Sequence, residues 1–124
     1  MPAETVLFNP KGGRVSAEIR CGHAQDGSYV VTLWNKNQVA ERFEGNFIDP
    51  QDDTHEFITT SPGLAGDLVQ CHADIGITPP ITQYTLLMTL WQDGMAIGAL
   101  TSSGDEKDRL LVPVNLFARL EPRS

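Results

Sequence analysis

The 124-residue sequence predicts an all-β fold, an antiparallel β-sandwich of about eight strands with little or no helix. Runs rich in strand-forming residues recur between turn-forming residues along the chain. Two of these runs, Tyr84 to Gln92 and Met95 to Thr101, meet at an Asp93-Gly94 pair that suits a tight type I′ hairpin turn. No window of about ten or more residues shows a convincing helical period. These observations indicate a single β-domain that spans residues 1–124.

Each predicted strand is a run of alternating or β-branched residues that ends at a turn signal. The strands are Val15 to Cys21, Ser28 to Asn35, Gln38 to Glu44, His55 to Thr60, Asp67 to Asp74, Thr82 to Gln92, Met95 to Thr101 and Leu110 to Leu120. The breaks fall at Asp26-Gly27, Lys36-Asn37, Asp49-Pro50, Ser61-Pro62-Gly63, Pro79-Pro80 and Ser103-Gly104. Pro113 lacks an amide donor, so the last strand is predicted to lie at a sheet edge or bulge.

The Asp93-Gly94 hairpin also predicts which side chains share a face. If these two residues form the loop, Leu90 pairs with Ile97 and side chains alternate outward from that pair. The better core face then carries Leu86, Met88, Leu90, Ile97 and Ala99, and the other face carries Leu87, Thr89, Trp91, Ala96, Gly98 and Leu100. This second face is too apolar for a simple surface in water, so we expect it to contact another sheet, a partner subunit or a ligand.

Both tryptophans are predicted to lie on the less apolar face of their strands. Trp91 either packs over Gly98 or forms one wall of a groove. Trp34 falls on the same face as Thr32, opposite Val31 and its apolar neighbours. Aromatic side chains among hydroxyl groups suit sugar stacking or a subunit interface, and strands buried on both sides explain them equally well.

The charge and the apolar pattern exclude several partners. Sixteen acidic and nine basic residues give a formal charge of −7, which argues against nucleic acid and anionic membranes. The apolar runs are far shorter than the ~18 to 20 residues of a membrane span. The segment from Met1 to Phe8 lacks the basic start and apolar centre of a secretory signal, so a cytoplasmic location is expected.

Cys21, Trp34 and Cys71 occur in an order and spacing that resemble the immunoglobulin pattern of a disulfide and a packed tryptophan. Val69 stands where that pattern has a tyrosine, so the resemblance implies only the architecture, immunoglobulin-like or jelly-roll-like, and no family membership. Both thiols continue apolar strand faces. We therefore expect reduced, inward-facing thiols, with a disulfide as the alternative.

A zinc site is the other interpretation of these cysteines, because His23 and His72 lie beside them in the sequence. Neighbouring strand residues face opposite sides, so Cys71 and His72 cannot both reach one ion without a bulge. We expect no metal and no cofactor. His72 is instead predicted on an outer face with Gln70 and Asp74, a row that is either solvated or in contact with a ligand.

Two loops offer weaker sites. The segment from Asn9 to Arg14 combines flexible amides with two positive charges and could cradle an anion, although a basic turn explains it as well. The segment from Asp49 to Thr54 gathers three carboxylates that could hold calcium, but it lacks the spacing of an EF-hand. A solvated loop is the simpler interpretation.

The sequence therefore favours a non-catalytic binding or assembly module. It would use an apolar, aromatic sheet face for self-association as a homo-oligomer, or to contact a protein or carbohydrate ligand. The residues predicted at this interface are Trp91, Trp34, Leu87, Leu100, Gln70, His72 and Asp74. The alternative is a small enzyme with a dispersed site that includes His72 and Asp74.

Overall fold

The computed structural model describes residues 3–23, 25–47 and 54–124. This part of the chain forms nine strands and one short 3₁₀ turn, Ser61–Leu64, so the predicted all-β class is confirmed. The strands are β1 (Glu4–Phe8), β2 (Val15–Gly22), β3 (Asp26–Asn35), β4 (Gln38–Asn46), β5 (Thr54–Glu56), β6 (Leu68–Gly76), β7 (Gln83–Gln92), β8 (Met95–Asp105) and β9 (Leu111–Pro122).

The strands form two sheets, as the predicted sandwich requires. One has five strands in the order β1-β9-β6-β3-β4, and the other has four in the order β5-β2-β7-β8. The pairing of β1 with β9 is parallel, and the other strand pairs are antiparallel. Alternate residues of both sheets contribute to one hydrophobic core. Its largest fully buried side chains include Tyr29, Phe8, Phe57, Ile19 and Leu33.

The strand β1 is absent from the sequence prediction. It is five residues long, and its side chains alternate between exposed positions and the buried Val6 and Phe8. Five residues give a weak alternation signal, and this strand is stabilised by parallel pairing with β9, which is distant in the sequence. Local pattern could not indicate that partner.

The predicted strand from His55 to Thr60 is only partly correct, because β5 ends at Glu56. Beyond it, the amides of Ile58 and Thr59 donate to the carboxylate of Glu41 at 2.7 and 2.9 Å. A side chain of β4 thus satisfies donors that would otherwise need a neighbouring strand. This contact joins β4, an edge strand of the five-stranded sheet, to the loop that follows β5, an edge strand of the four-stranded sheet.

The hairpin of β7 and β8 contains a β-bulge that the sequence prediction lacked. Trp91 pairs with Ala96 as predicted, but the register then shifts and Leu90 pairs with Gly98 instead of Ile97. One extra residue in β8 reverses the faces of the residues beyond it. The predicted outward position of Leu100 is therefore wrong: Leu100 is 4% exposed and belongs to the core, whereas Ala99 is exposed.

Gly98 also faces inward, so the prediction that Trp91 packs over it is wrong. A Cβ atom added to Gly98 would lie 2.8 Å from Val6 Cγ2 of the opposite sheet. The arrangement expected there occurs at two other pairs. Tyr29 covers its strand partner Gly45, and Tyr84 covers Gly104 in the same way.

Pro113 lies in an interior strand, because β9 has neighbours on both sides in the sheet order. However, β1 pairs only with residues 118–122 of β9, so Pro113 has one neighbouring strand, β6. The prediction that the whole last strand lies at a sheet edge is therefore wrong. At Pro113 itself the sheet does have an edge, and the missing amide donor costs no ladder hydrogen bond there.

No helix among the described residues is long and apolar enough to cross a membrane.

Candidate functional site

The outer face of the five-stranded sheet carries a continuous polar network. Trp34 Nε1 donates to Gln70 Oε1 at 3.0 Å, and Gln70 Nε2 donates to Asn115 Oδ1 at 3.1 Å. The strands β3, β6 and β9 are neighbours, so these side chains lie side by side across the sheet. The sequence prediction that Trp34 lies on the face opposite Val31 agrees with this arrangement, since Val31 is fully buried. The network fixes the orientation of the indole ring.

The same network extends along β6 to His72 and Asp74. His72 Nδ1 lies 3.0 Å from Asn115 Oδ1, and because an amide oxygen only accepts, Nδ1 must carry the proton. His72 Nε2 lies 3.3 Å from Asp74 Oδ1, a contact that is an ion pair when the imidazole carries both protons. Gln70, His72 and Asp74 thus share one half-exposed face, as predicted. Within the described chain, no hydroxyl or thiol group hydrogen-bonds to His72.

A pocket of about 500 Å³ opens at the Trp34 end of this network. Its lining includes Trp34 and Phe117 as aromatic walls, with Gln70 and Arg119 as polar groups. We call it the Trp34 pocket. It lies where the hairpin turn between β3 and β4 meets the segment that follows the 3₁₀ turn. A concave site with aromatic walls and a few polar groups is typical of small-ligand binding sites.

Asp67 is the most informative residue in the Trp34 pocket. It is only 3% exposed, and its Oδ1 accepts a hydrogen bond from Asn35 Nδ2 at 2.7 Å. Burial raises the pKa of Asp67 above its ordinary value, and the hydrogen bond from Asn35 partly opposes this increase. Its second oxygen has no hydrogen-bond partner within residues 3–23, 25–47 and 54–124. A buried carboxyl oxygen without a partner is costly, which makes it a strong candidate for ligand contact.

Asn35 and Asp67 also line a second, smaller cavity of about 240 Å³. The pair therefore lies between the two cavities. Val39 borders the smaller one and is 53% exposed. A ligand longer than the Trp34 pocket could continue past Asn35 into this cavity.

Two basic side chains, Lys36 and Arg119, line the Trp34 pocket as well. Arg119 Nη1 donates to the carbonyl of Gly66 at 2.9 Å, which anchors the guanidinium group and leaves its other N–H groups available. Lys36 and Asn37 form the two-residue turn between β3 and β4, with φ angles of 49° and 66°. Positive φ at both positions is the type I′ geometry, and it is unfavourable for lysine.

The predicted interface residues Leu87 and Trp91 lie on the outer face of the other sheet. Both are half-buried, and Trp91 Nε1 lies 3.4 Å from Glu18 Oε1 on β2. They are remote in the fold from Trp34, because the two tryptophans belong to different sheets. The residues that the sequence predicts at an interface therefore lie on two separate faces, except for Leu100, which lies in the core.

The two cysteines lie in different sheets and are free. Cys71 is fully buried, where desolvation raises its pKa to about 12. Cys21 is partly buried, and burial together with the charge of Asp26 raises its pKa to about 11. Trp34 lies outside the core, so the packed tryptophan of the immunoglobulin pattern is not reproduced.

No group of three or more histidine, cysteine, aspartate or glutamate side chains that could hold a metal ion occurs in the described part of the chain. Cys71 points into the core and His72 outward, as strand alternation predicts. His23 is exposed in the turn after β2. The calcium loop considered in the sequence, from Asp49 to Thr54, falls on residues 49–53 outside the described ranges, apart from Thr54 at the start of β5.

The segment from Asn9 to Arg14 is held by internal contacts that compete with an anion. Gly13 N donates to Asp93 Oδ1 at 3.0 Å, and Asn9 N donates to the buried Gln92 side chain at 2.8 Å. Gly12 N donates to the carbonyl of Asn9. A carboxylate of the chain already lies where an anion would bind, which favours the basic-turn interpretation.

The sequence interpretation identified Trp34 and Gln70 but did not identify Asn35, Asp67, Phe117 or Arg119. The alternation of β9 carried a usable signal, because the residues between its buried positions are its outward-facing ones. Phe117 and Arg119 both belong to that outward set. Nothing in the sequence near Asp67 indicates burial, which depends on packing between distant segments.

No known protein-family model, curated protein or solved structure matches this chain.

Proposed function

We propose that the chain is a non-catalytic binding module that holds a saccharide in the Trp34 pocket. The observation that carries this proposal is the second carboxyl oxygen of the buried Asp67, which has no hydrogen-bond partner in the described part of the chain and lies in a pocket with an oriented indole ring. A sugar ring presents an apolar C–H face, which packs on an aromatic ring, and hydroxyl groups at its edge, which need hydrogen-bond partners.

The polar lining matches those hydroxyl groups. Asp67 supplies an acceptor, Asn35 an amide, and Arg119 several donors. The Asn35–Asp67 hydrogen bond holds both side chains in place before a ligand arrives, so less conformational entropy is lost on binding. The second cavity beyond this pair favours an oligosaccharide over a single sugar residue.

The test uses the indole N–H signals of the two tryptophans in ¹H–¹⁵N correlation spectra. Trp91→Phe identifies the Trp34 signal by elimination, because the chain has only two tryptophans. Neutral and acidic tetramers of glucose, galactose and mannose configuration are then titrated. The proposal expects at least one tetramer to shift the Trp34 signal saturably while the Trp91 signal stays in place. No saturable shift with any tetramer would contradict the proposal.

Self-association through the Leu87 and Trp91 face is the second candidate. Trp91 is half-buried on the outer face of its sheet, and the neighbouring Met95 at the end of the hairpin is 69% exposed. Apolar surface of this kind supports a contact between copies of the chain. The two proposals concern different sheets and are compatible.

The small-enzyme alternative has less support. It would require His72 and Asp74 to act on a substrate, and neither residue lines the Trp34 pocket. His72 is engaged by Asn115 through the nitrogen that carries the proton. The pair therefore serves better as part of the network that orients Gln70 and Trp34.

A further inference from the structure

We infer that the saccharide held in the Trp34 pocket carries negative charge, an inference that rests on the proposed function and specifies its ligand. The shared chemistry is an anionic group, a carboxylate or a sulfate, on a polyhydroxylated molecule. The pocket combines positive charge, an acceptor for hydroxyl groups and an aromatic wall, and a charged saccharide uses all three.

The distribution of ion pairs is the first argument. Among the nine basic side chains, all of which the structure describes, five form ion pairs with neighbouring carboxylates. Within residues 3–23, 25–47 and 54–124, the other four form none, namely Lys11, Lys36, Arg119 and Arg123. Two of these four line the Trp34 pocket. The pocket lining carries these two cations and one carboxylate, Asp67, so its formal charge is +1 (two minus one) in a chain of net charge −7, and this local excess of positive charge attracts an anion.

The backbone of the turn provides the second argument. Lys36 has a φ of 49°, a conformation that glycine or asparagine adopts at lower cost. The turn therefore places a cation at the Trp34 pocket in a backbone conformation that is unfavourable for lysine. The turn projects from the end of β3, directly after Trp34 and Asn35, so the cation lies beside the aromatic wall in the sequence and in the pocket.

The geometry of Arg119 is the third argument. One of its nitrogens is held by the carbonyl of Gly66, and the remaining N–H groups form the planar fork that binds carboxylate and sulfate oxygens. Asp67 then accepts from a hydroxyl group of the same ligand, since its second oxygen is free within the described chain. A simple inorganic anion would satisfy Arg119 and leave Asp67 without a partner.

The experiment compares matched tetramers by isothermal titration calorimetry with the full chain. Each sugar configuration is tested as the neutral tetramer, as its uronic acid and as its sulfated form. We expect at least tenfold tighter binding of one anionic form than of its neutral counterpart, with the preference decreasing as salt is raised. The preferred anionic form distinguishes carboxylate from sulfate.

Two variants assign the preference to its residues. Lys36→Asn keeps a residue that tolerates positive φ, and Arg119→Gln keeps a donor for Gly66, so both should fold. Each should reduce anionic binding at least fivefold. Lys36→Asn should leave neutral binding within twofold, whereas Arg119→Gln, which also removes donors to hydroxyl groups, should weaken neutral binding less than anionic binding. Lys11→Asn, which removes an unpaired charge outside the pocket, is the matched control and should change neither.

The possible failures are distinguishable. If neutral and anionic tetramers bind with equal affinity at the Trp34 signal, the charge inference is wrong and the proposed function stands. If both variants keep the wild-type preference for anionic tetramers, the inference is wrong in assigning that preference to Lys36 and Arg119. If no tetramer binds, the proposed function and the inference are both overturned.

Discussion

The side chains of Asn35 and Asp67 are joined by a hydrogen bond of 2.7 Å that links the end of β3 to the start of β6. Both residues line the Trp34 pocket and the smaller cavity beside it. The buried carboxyl of Asp67 destabilises the fold, but it supplies the pocket with a hydrogen-bond acceptor. Such a conflict between stability and local chemistry is typical of functional sites.

Replacing Asp67 with Asn should stabilise the fold near neutral pH and weaken saccharide binding. Burial raises the pKa of Asp67, so the folded state binds its proton more tightly than the unfolded state does. The free energy of unfolding therefore decreases as pH rises from the ordinary carboxyl pKa of 3.8 to the raised pKa of Asp67. Asp67→Asn has no titrating carboxyl at this position, so this decrease should be absent from the variant. Urea denaturation between pH 4 and pH 7 measures it. Asp108→Asn, at an exposed position, is the control, and equal effects of the two substitutions would contradict the prediction.

Trp34→Ala should reduce saccharide affinity by about 2 kcal/mol, roughly thirtyfold, as expected for a central aromatic contact. Trp34→Phe should have a smaller effect, because it keeps an aromatic ring, although a smaller one, and loses the hydrogen bond to Gln70. Titration calorimetry with the tightest-binding tetramer measures both. Trp91→Ala lies on the other sheet and should leave this affinity unchanged.

Trp91→Ala should weaken self-association by about 2 kcal/mol while the monomer stays folded. Leu100→Ala should instead lower the free energy of unfolding by about 2 to 5 kcal/mol, because Leu100 is a core residue. Sedimentation velocity and thermal denaturation separate the two effects. A wild-type protein that stays monomeric at high concentration would exclude the proposed interface.

Gly98→Ala tests whether the β7–β8 hairpin contains the β-bulge. A methyl group there would lie 2.8 Å from Val6 Cγ2, so we expect a loss of about 1 to 3 kcal/mol in the free energy of unfolding. Val6→Ala removes the colliding methyl groups, so adding it to Gly98→Ala should recover part of that loss. The double variant should then be more stable than the sum of the two single effects predicts. In the register without a bulge Gly98 faces outward, and the substitution would cost almost nothing.

Both thiols should resist alkylation at pH 8 in the native protein. Burial raises the pKa of Cys71 to about 12 and that of Cys21 to about 11, so almost no thiolate is present. Cys71 should react more slowly because it is also fully buried. Mass spectrometry with iodoacetamide, on Cys21→Ala and Cys71→Ala variants, assigns each rate, and denaturant should make both sites reactive. Rapid labelling of native Cys71 would contradict its position in the core.

The same raised pKa values predict that stability decreases at high pH. The unfolded chain loses these protons near the ordinary value of 9.0, while the folded state retains them to higher pH. The free energy of unfolding should therefore fall as pH rises from about 9 through the folded pKa values. Replacing Cys71 with Ala should reduce the slope of this decrease.

Part of the candidate site could be predicted from sequence. Strand alternation placed Trp34, Gln70 and His72 on outer faces, because side-chain direction along a strand depends only on local geometry. The pattern could not show that β3 and β6 are neighbours, and that pairing brings Trp34 to Gln70 and Asn35 to Asp67. Contacts between residues more than thirty positions apart have no local signal.

By itself the sequence determined the all-β class, most strand positions and the Asp93-Gly94 hairpin. These features follow from short-range physics: the alternation of side chains, the φ preferences of turn residues and the absence of a helical period. The tertiary structure alone decided the order of strands, the register beyond the bulge, the burial of Leu100 and the position of Asp67 between two cavities. These depend on which distant surfaces pack together, a choice made by the total free energy of the fold rather than by any one segment.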